Sequence, residues 1–190
     1  MMSEVMTRLR EEHRNIAKLL RALEHQFAIF DTTEQPDYDV LAAIAGYFLS
    51  FPDRCHHPKE DLVYRKMCER DPTLVRTMTD LDAEHEKISA LARHFQEAVQ
   101  NVLQEVEVSR SAFDKAVHHF VREQRHHMQM EEERFFPLAL QILTPDDWAE
   151  IDERITREED PVFGGEVSQE FAALRDDILK WEEEDETLEG

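Results

Sequence analysis

Apolar residues recur along this chain at intervals of three and four positions, which is the spacing of amphipathic α-helices. The pattern predicts a first helix from Met6 to Phe30, which the turn-rich residues 31–37 bring to an end. Further helices are predicted to begin near Asp37 or Asp39, near residues 77–79, and after a polar connection at 107–111. Four long helices joined by short polar turns predict an all-α fold, an up-down-up-down four-helix bundle.

The residues after the fourth helix form a separate helical segment. A threonine at Thr144 followed by proline and two aspartates is typical of a helix start. A last amphipathic helix is predicted over Val167 to Trp181, and the acidic residues 182–190 are expected to be a frayed tail. The chain is therefore divided into a bundle, residues 1–143, and a C-terminal extension, residues 144–190, whose helices pack on the bundle.

Two prolines interrupt the second helix. Pro52 and Pro58 each lack a backbone donor and crowd the preceding turn. A kink or a local widening of the helix is therefore expected between Phe51 and Lys59. The alternative is that one helix ends at Pro52 and a new one starts at Asp53.

Composition and charge narrow the class of protein. The 190 residues include only 4 glycines, and the formal net charge is −21. Such acidity argues against binding to nucleic acid or to an anionic membrane, since both need clustered lysine and arginine. No stretch approaches the roughly 20 apolar residues of a membrane span, and the N-terminus has no apolar secretory core. A cytoplasmic protein is expected, with Cys55 and Cys68 reduced because they lie too far apart on one helix to pair.

Two motifs occur twice in the chain at nearly the same offset. Glu-His-x-x-Ile begins at residues 12 and 84, and His-x-x-x-Glu begins at residues 56 and 127. Positions four apart share one face of a helix, so both members of each His–Glu pair point the same way. Two related helical hairpins would bring all of these side chains together inside the bundle. The predicted group consists of His13, His56, Glu60, His85, His127 and Glu131.

A metal centre is the chemistry that best suits this group. Buried polar groups without partners cost several kcal/mol each, and neutral imidazole with carboxylate is a common ligand set for first-row metals. A single histidine is more often a satisfied core or surface residue, and a single His-x-x-x-Glu pair is more often a surface hydrogen bond. The matched repeat favours two metal ions with bridging carboxylates. Iron fits the mixed donor set best, with zinc or manganese as substitutes.

Other polar residues are expected at the edge of this site. His57 and His126 neighbour predicted ligands but should point about 100° away from them on a regular helix, outside the ligand set. Glu123 or His119 is a candidate for lining the pocket above the metals. Three carboxylates are expected to be solvated or hydrogen-bonded to ligand histidines: Asp61, Glu132 and Glu133.

The layout from Met6 to Leu143 resembles the hemerythrin-like HHE cation-binding family, in which four helices hold a non-haem di-iron centre. The resemblance rests on His13, His56-His57-Pro58-Lys59-Glu60-Asp61, Glu84-His85 and His127-Met-Gln-Met-Glu131-Glu132. It implies two iron ions joined by an oxo or hydroxo group. By the same resemblance, one ion is bound by His13 and His56, the other by His85 and His127, with Glu60 and Glu131 bridging.

The chain departs from this pattern at two positions. Oxygen-carrying hemerythrins have a second histidine four residues after the one on the third helix, and here that position is Ser89. Their last bridging carboxylate is also an aspartate five residues after its histidine, whereas Glu131 follows His127 at four. These differences leave a coordination position to be filled and argue for redox chemistry over reversible oxygen carriage.

The function implied is that of a di-iron protein that binds, senses or reduces dioxygen, peroxide or nitric oxide. One alternative is an enzyme, either a catalase-like protein that consumes peroxide or an oxidase of a small substrate. Another is a metal-stabilised regulatory or interaction module that uses the helices after Thr144. The expected partner is a small molecule rather than nucleic acid or a membrane, with homodimerisation left open.

Overall fold

Long helices arranged as a four-membered bundle make up most of the structure, as the apolar spacing predicts. The computed structural model describes residues 3–30, 36–76, 80–104 and 109–189, so parts of the predicted turns lie outside the described residues. α1 packs against α2 and α6, and α5 packs against the same two helices from the other side, which closes the bundle. The helices are α1 (Glu4–Phe30), α2 (Tyr38–Phe51), α3 (His57–Arg70), the short α4 (Pro72–Val75), α5 (Leu81–Leu103), α6 (Arg110–Met130) and α7 (Phe136–Ile142).

Side-chain caps determine where three of the longer helices begin. Asp37 accepts hydrogen bonds from two backbone N–H groups in the first turn of α2. Asp80 and Ser109 each accept one in the same way, from Ala83 and Ala112. Each cap satisfies donors that have no partner within the helix, so helix formation starts at the following residue. The start of α5 therefore falls at Leu81, slightly later than the spacing predicts.

Two π-turns join the helical segments that run through the middle of the bundle. The first, Pro52–His56, joins α2 to α3, and the second, Glu131–Phe135, joins α6 to α7. In each case the residue before a proline donates its N–H five residues back, and the prolines are Pro58 and Pro137. A proline inside an α-helix removes a donor and clashes with the carbonyl four residues earlier, and the wider turn accommodates both effects. The predicted widening between Phe51 and Lys59 is confirmed.

The C-terminal extension adds helices that contact the bundle. α8 (Pro145–Arg154) starts with a capping box between Thr144 and Asp147. α9 (Ala172–Glu189) begins later than predicted and continues past Trp181, where a frayed tail was expected. In the part of the chain that the structure describes, no helix has the length and apolarity needed to cross a bilayer.

The apolar interior is divided into two clusters. One contains Ile16, Phe48 and Phe120, with side chains from α1, α2, α5, α6 and α9. The other contains Leu9 and Phe135, with side chains from α1, α3, α7 and α8. Along each bundle helix the predicted metal-binding residues fall between the two clusters, so a polar layer crosses the bundle at that level. Cys55 and Cys68 are both free, as predicted.

Candidate metal centre

The six side chains predicted from the repeat meet in this polar layer. All are buried, with 0–7% of their surface exposed. α1, α3, α5 and α6 supply four of them, and the π-turns supply His56 as the last residue of the first and Glu131 as the first residue of the second. The six residues are His13, His56, Glu60, His85, His127 and Glu131.

Glu60 faces histidines from two sides of the bundle. Its Oε1 atom lies 3.6 Å from His56 Nε2 and 3.7 Å from His13 Nε2. Its other oxygen, Oε2, lies 3.2 Å from His85 Nε2. The two oxygens of one carboxylate therefore point at different histidines, which is the orientation that a carboxylate bridging two cations would need.

Glu131 repeats this arrangement from the opposite helix. Its Oε2 atom lies 3.3 Å from His13 Nε2. Its Oε1 atom lies 3.1 Å from His127 Nε2 and 3.7 Å from His85 Nε2. The two carboxylates thus stand between the same two groups of histidines.

Potential ligand atoms form two clusters around these carboxylates. Within each cluster all ligand atoms lie within 4.8 Å of one another, close enough for one metal ion to reach them. One cluster contains His13, His56, Glu60 and Glu131, and the other contains His57, Glu60, His85 and His127. The division of the predicted histidines into two pairs follows this grouping, while metal binding by them stays a prediction.

His57 corrects the sequence-based expectation, which left it outside the ligand set. Its ring is 4% exposed, lies in the second cluster and stacks on His85 with 4.1 Å between ring centroids. The expectation assumed the rotation of a regular α-helix, whereas the wider turn that ends at His56 allows two consecutive residues to face inward. His57 also stands three residues before Glu60, a spacing that shares a helical face and was a usable signal.

Four of the five buried histidines have a carboxylate at Nδ1. The distances are 3.0 Å from His13 to Glu132, 2.8 Å from His56 to Glu12, 3.0 Å from His57 to Asp53 and 3.3 Å from His85 to Asp61. A carboxylate at Nδ1 fixes the ring and its tautomer, so Nε2 is directed toward the centre. The hydrogen bond expected for Glu132 is confirmed at His13, whereas Asp61 faces His85 Nδ1 at 3.3 Å without forming a hydrogen bond.

A buried lysine supports one of these carboxylates. Lys59 is fully buried, and its Nζ donates to Glu12 Oε1 at 2.6 Å. The other oxygen of Glu12 contacts His56, so a chain of charged and polar groups runs from Lys59 to the centre. Lysine is rarely buried, although Lys59 stands four residues before the buried Val63 and so shares a helical face with it. Neither the burial of Lys59 nor the role of Glu12 was predicted from the sequence.

The donor set fits a metal pair because its polar atoms are otherwise unsatisfied. Within the described residues, both oxygens of Glu60 and of Glu131 are buried without a hydrogen-bond partner. The same holds for the Nε2 atoms of His13, His57, His85 and His127. Each such atom costs about 1–3 kcal/mol. Cations bound by these imidazoles and carboxylates would remove most of that cost at once.

The pKa values of the histidines differ across the centre. Burial lowers the pKa of His13, but the nearby carboxylates of Glu131 and Glu132 outweigh it and raise the value to about 10. Burial also lowers the pKa of His85, and Asp61 with the two central carboxylates raises it to about 11. Burial dominates at His127, whose pKa falls to about 4. The carboxylates therefore attract either protons or metal ions to the same places.

Several expected neighbours lie outside the site. Glu123 contacts Lys87 at 2.9 Å and Arg122 at 3.0 Å, and these cations lower its pKa to about 2. His119 is exposed. His126 and Glu133 are exposed too, which agrees with a position outside the ligand set for His126 and with a solvated carboxylate for Glu133. The prediction that Glu123 or His119 lines the pocket above the metals is wrong, because His119 is exposed and the half-buried Glu123 is paired with surface cations.

A surface depression of about 700 Å³ lies beside the second cluster. The outer sides of His57 and His85 form part of its wall, together with Asp53, Asp61 and Ser89. Of the residues that the structure describes, only the rings of His57 and His85 therefore separate the depression from the second cluster on this side. Among the residues that line the depression, His57 and His85 are thus the ones that belong to the second cluster.

A four-helix bundle that carries this buried layer of imidazoles and carboxylates is a metal-binding helical domain by its fold and its donor set. The profile of the hemerythrin HHE cation binding domain matches residues 4–139, so the chain belongs to the hemerythrin HHE family. Searches of curated proteins and of solved structures gave no significant match.

Proposed function

We propose that the protein binds a pair of iron ions and uses it to bind, sense or reduce dioxygen, peroxide or nitric oxide. The observation that supports the proposal most directly concerns Glu60 and Glu131. Each carboxylate directs one oxygen toward the first group of histidines and its other oxygen toward the second group. A single metal ion would contact only the oxygens that face one group of histidines. Two ions that share both carboxylates account for all four oxygens.

The choice of iron follows from the donor chemistry. Imidazole nitrogen and carboxylate oxygen together suit iron, while zinc or manganese could occupy the same ligands. A bound iron pair would supply electrons to a small ligand, which zinc could not do. The proposed ligands are the six residues predicted from the repeat: His13, His56, Glu60, His85, His127 and Glu131.

The remaining residues of the chain define what the site can do. Glu12, Asp61 and Glu132 hold histidine rings in place, and the two apolar clusters limit water on either side of the polar layer. The depression beside His57 and His85 is wide enough for small molecules. These features favour selective access by a small ligand.

Binding or a single reduction fits the site better than rapid turnover. An enzyme that consumes peroxide needs a side chain that delivers protons near the reacting atoms. Of the candidates for that role, which are Glu123, His119 or a tyrosine, His119 is exposed and Glu123 is paired with Lys87. The hydroxyl of the buried Tyr47 donates to Asp160. The catalase-like and oxidase alternatives therefore have less support from the described side chains.

The proposal is tested by loading the purified protein with Fe(II) without air and then adding dioxygen, hydrogen peroxide or nitric oxide separately. We expect two iron ions per chain and one stoichiometric change in the absorption spectrum with at least one of these ligands. The His56→Ala variant should lose both, and the His94→Ala variant, altered at an exposed histidine, should retain them.

Two results would contradict the proposal in different ways. Less than one iron per chain in the wild-type protein would exclude the iron pair. Sustained consumption of peroxide over many turnovers would instead establish the enzyme alternative for the same centre.

A further inference from the structure

We propose that His57 is a fifth histidine ligand, delivered from α3 to the metal ion that His85 and His127 bind. This assignment rests on the proposed function, because it presupposes a metal in the second cluster. His57 would fill the coordination position that is left without a ligand because Ser89 stands where the oxygen-carrying hemerythrins have a histidine.

The surroundings of His57 are those of a ligand more than of a packing residue. Its Nδ1 atom lies 3.0 Å from Asp53 Oδ1, while its buried Nε2 has no hydrogen-bond partner among the described residues. The ring stacks on His85 and lies 6.0 Å, centroid to centroid, from the ring of His127. A histidine kept only for packing would be expected to satisfy both nitrogens when buried.

Ser89 supports His57 from the neighbouring helix. Its hydroxyl donates to Asp53 Oδ1 at 2.5 Å, and the same carboxylate oxygen contacts His57 Nδ1. Ser89 stands four residues after His85, so the two share a face of α5. Ser89 therefore occupies the position on α5 from which a longer side chain would reach the second cluster. Its hydroxyl binds the Asp53 carboxylate, and this carboxylate orients His57. A ligand on α3 with a support on α5 replaces a ligand on α5.

The first π-turn makes this exchange geometrically feasible. It ends at His56, and the widened turn is what allows His56 and His57 to face inward together. His56 then serves the first cluster and His57 the second, with Glu60 between them. The two clusters consequently contain two and three histidines.

The test measures metal affinity and spectra in variants of the full-length protein. Co(II) is the probe, because its visible absorption reports the ligands directly and needs no catalytic activity. Each variant is titrated with Co(II) against a competing chelator. We expect His57→Ala to bind the second ion at least about 10-fold more weakly than the wild type and to shift its absorption.

A relocation variant makes the test specific. In His57→Ala with Ser89→His, the new imidazole has the space left by the removed ring, and we expect affinity for the second ion to be recovered. His126→Ala, which removes an exposed histidine on α6, is the matched control and should behave as wild type.

A milder variant guards against misfolding. Asp53 is exposed, so Asp53→Asn should leave the fold intact, as checked by circular dichroism. We expect this variant to lower the affinity for the second ion by about 10-fold. Wild-type affinity and spectrum in both His57→Ala and Asp53→Asn would overturn the assignment while leaving the iron pair in place. Failure of the wild-type protein to bind two ions would instead overturn the proposed function, and the assignment with it.

Discussion

Lys59 carries a positive charge into the interior and is matched there by Glu12. Lys59 Nζ lies 2.6 Å from Glu12 Oε1. The same nitrogen lies over the ring of Phe51, 5.7 Å from the ring centroid. Glu12 also contacts His56 at 2.8 Å. The pKa of Glu12 is lowered because hydrogen bonds and charges from His56 and Lys59 together outweigh its burial, which alone would raise it. The ion pair thus keeps Glu12 ionised beside a proposed ligand.

Removing the lysine should destabilise the protein strongly. Lys59→Met leaves the Glu12 carboxylate buried without its cation, and we expect the free energy of unfolding to fall by about 3–5 kcal/mol. Urea denaturation of the metal-free protein measures the change. The double variant Lys59→Met with Glu12→Gln removes both charges and should recover part of the loss. A change below about 1 kcal/mol for Lys59→Met alone would show that Glu12 finds another partner.

Protons should compete with metal ions at His13 and His85. With pKa values of about 10 and about 11, both imidazoles are protonated at pH 7 in the metal-free protein. Ligand histidines must be neutral, so loading at pH 7 should release about two protons per chain. Metal affinity should therefore rise with pH. Calorimetry in buffers of different ionisation enthalpy counts the protons, and a release near zero would contradict the assignment of both residues.

The same shifts set the pH dependence of stability without metal. Because the pKa values of His13 and His85 lie above the ordinary value of 6.5, their contribution is complete below pH 6.5 and is lost as pH rises toward 10. His127 has the opposite sign: its pKa is about 4, so stability is lost as pH falls from 6.5 toward 4.

At the residue scale, the repeat identified six interior positions because helical spacing alone determines which face they share. His57 could not be placed in the same way, since its direction depends on a π-turn. Lys59 and Glu12 could not be found as a pair because their contact joins different helices, 47 residues apart in the chain.

The start of α8 is an element whose stability depends on few side chains. The Asp147 carboxylate accepts hydrogen bonds from the backbone N–H and hydroxyl of Thr144 and from two nitrogens of Arg70. The hydrogen bonds from Arg70 in particular hold the pKa of Asp147 well below its ordinary value. One carboxylate therefore caps α8 and attaches it to the end of α3.

Neutralising this carboxylate should loosen α8. We expect Asp147→Asn to lower the free energy of unfolding by about 1–2 kcal/mol, because a cap and a partly exposed ion pair are both weakened. Asp146→Asn, on the same turn but exposed, is the control. The difference between the variants should be complete above pH 4 and vanish as pH falls further, since the depressed pKa stabilises only the ionised form. If urea denaturation shows the same loss of unfolding free energy in Asp147→Asn and Asp146→Asn, the Asp147 cap does not stabilise α8.

At the element scale, the sequence predicted most helices and the capping signal at Thr144 because these follow from local spacing and local donors. The second π-turn was not predicted, although Pro137 marks it in the same way that Pro58 marks the first. The late start of α9 was also not predicted, because a short 3₁₀ turn at Gln169–Phe171 precedes it. A turn of three residues is too short for apolar spacing to distinguish a 3₁₀ turn from the first turn of an α-helix.

The whole molecule is built around a polar layer between two apolar clusters. The C-terminal extension strengthens one side: Asp160 accepts hydrogen bonds from Tyr47 at 3.0 Å and from Asn15 at 3.2 Å, and Phe171 and Ile178 join the larger cluster. The division into residues 1–143 and 144–190 stays a prediction. A layer of unsatisfied imidazoles and carboxylates inside such a molecule is costly unless it binds cations.

The iron pair can be tested by X-ray absorption at the iron edge, combined with an iron count on the anaerobically loaded protein. We expect two irons per chain and an iron–iron signal at a separation within roughly 4 Å. Glu131→Ala should abolish that signal because one shared carboxylate is gone. A wild-type protein with a single iron, or with two irons and no iron–iron signal, would contradict the dinuclear centre.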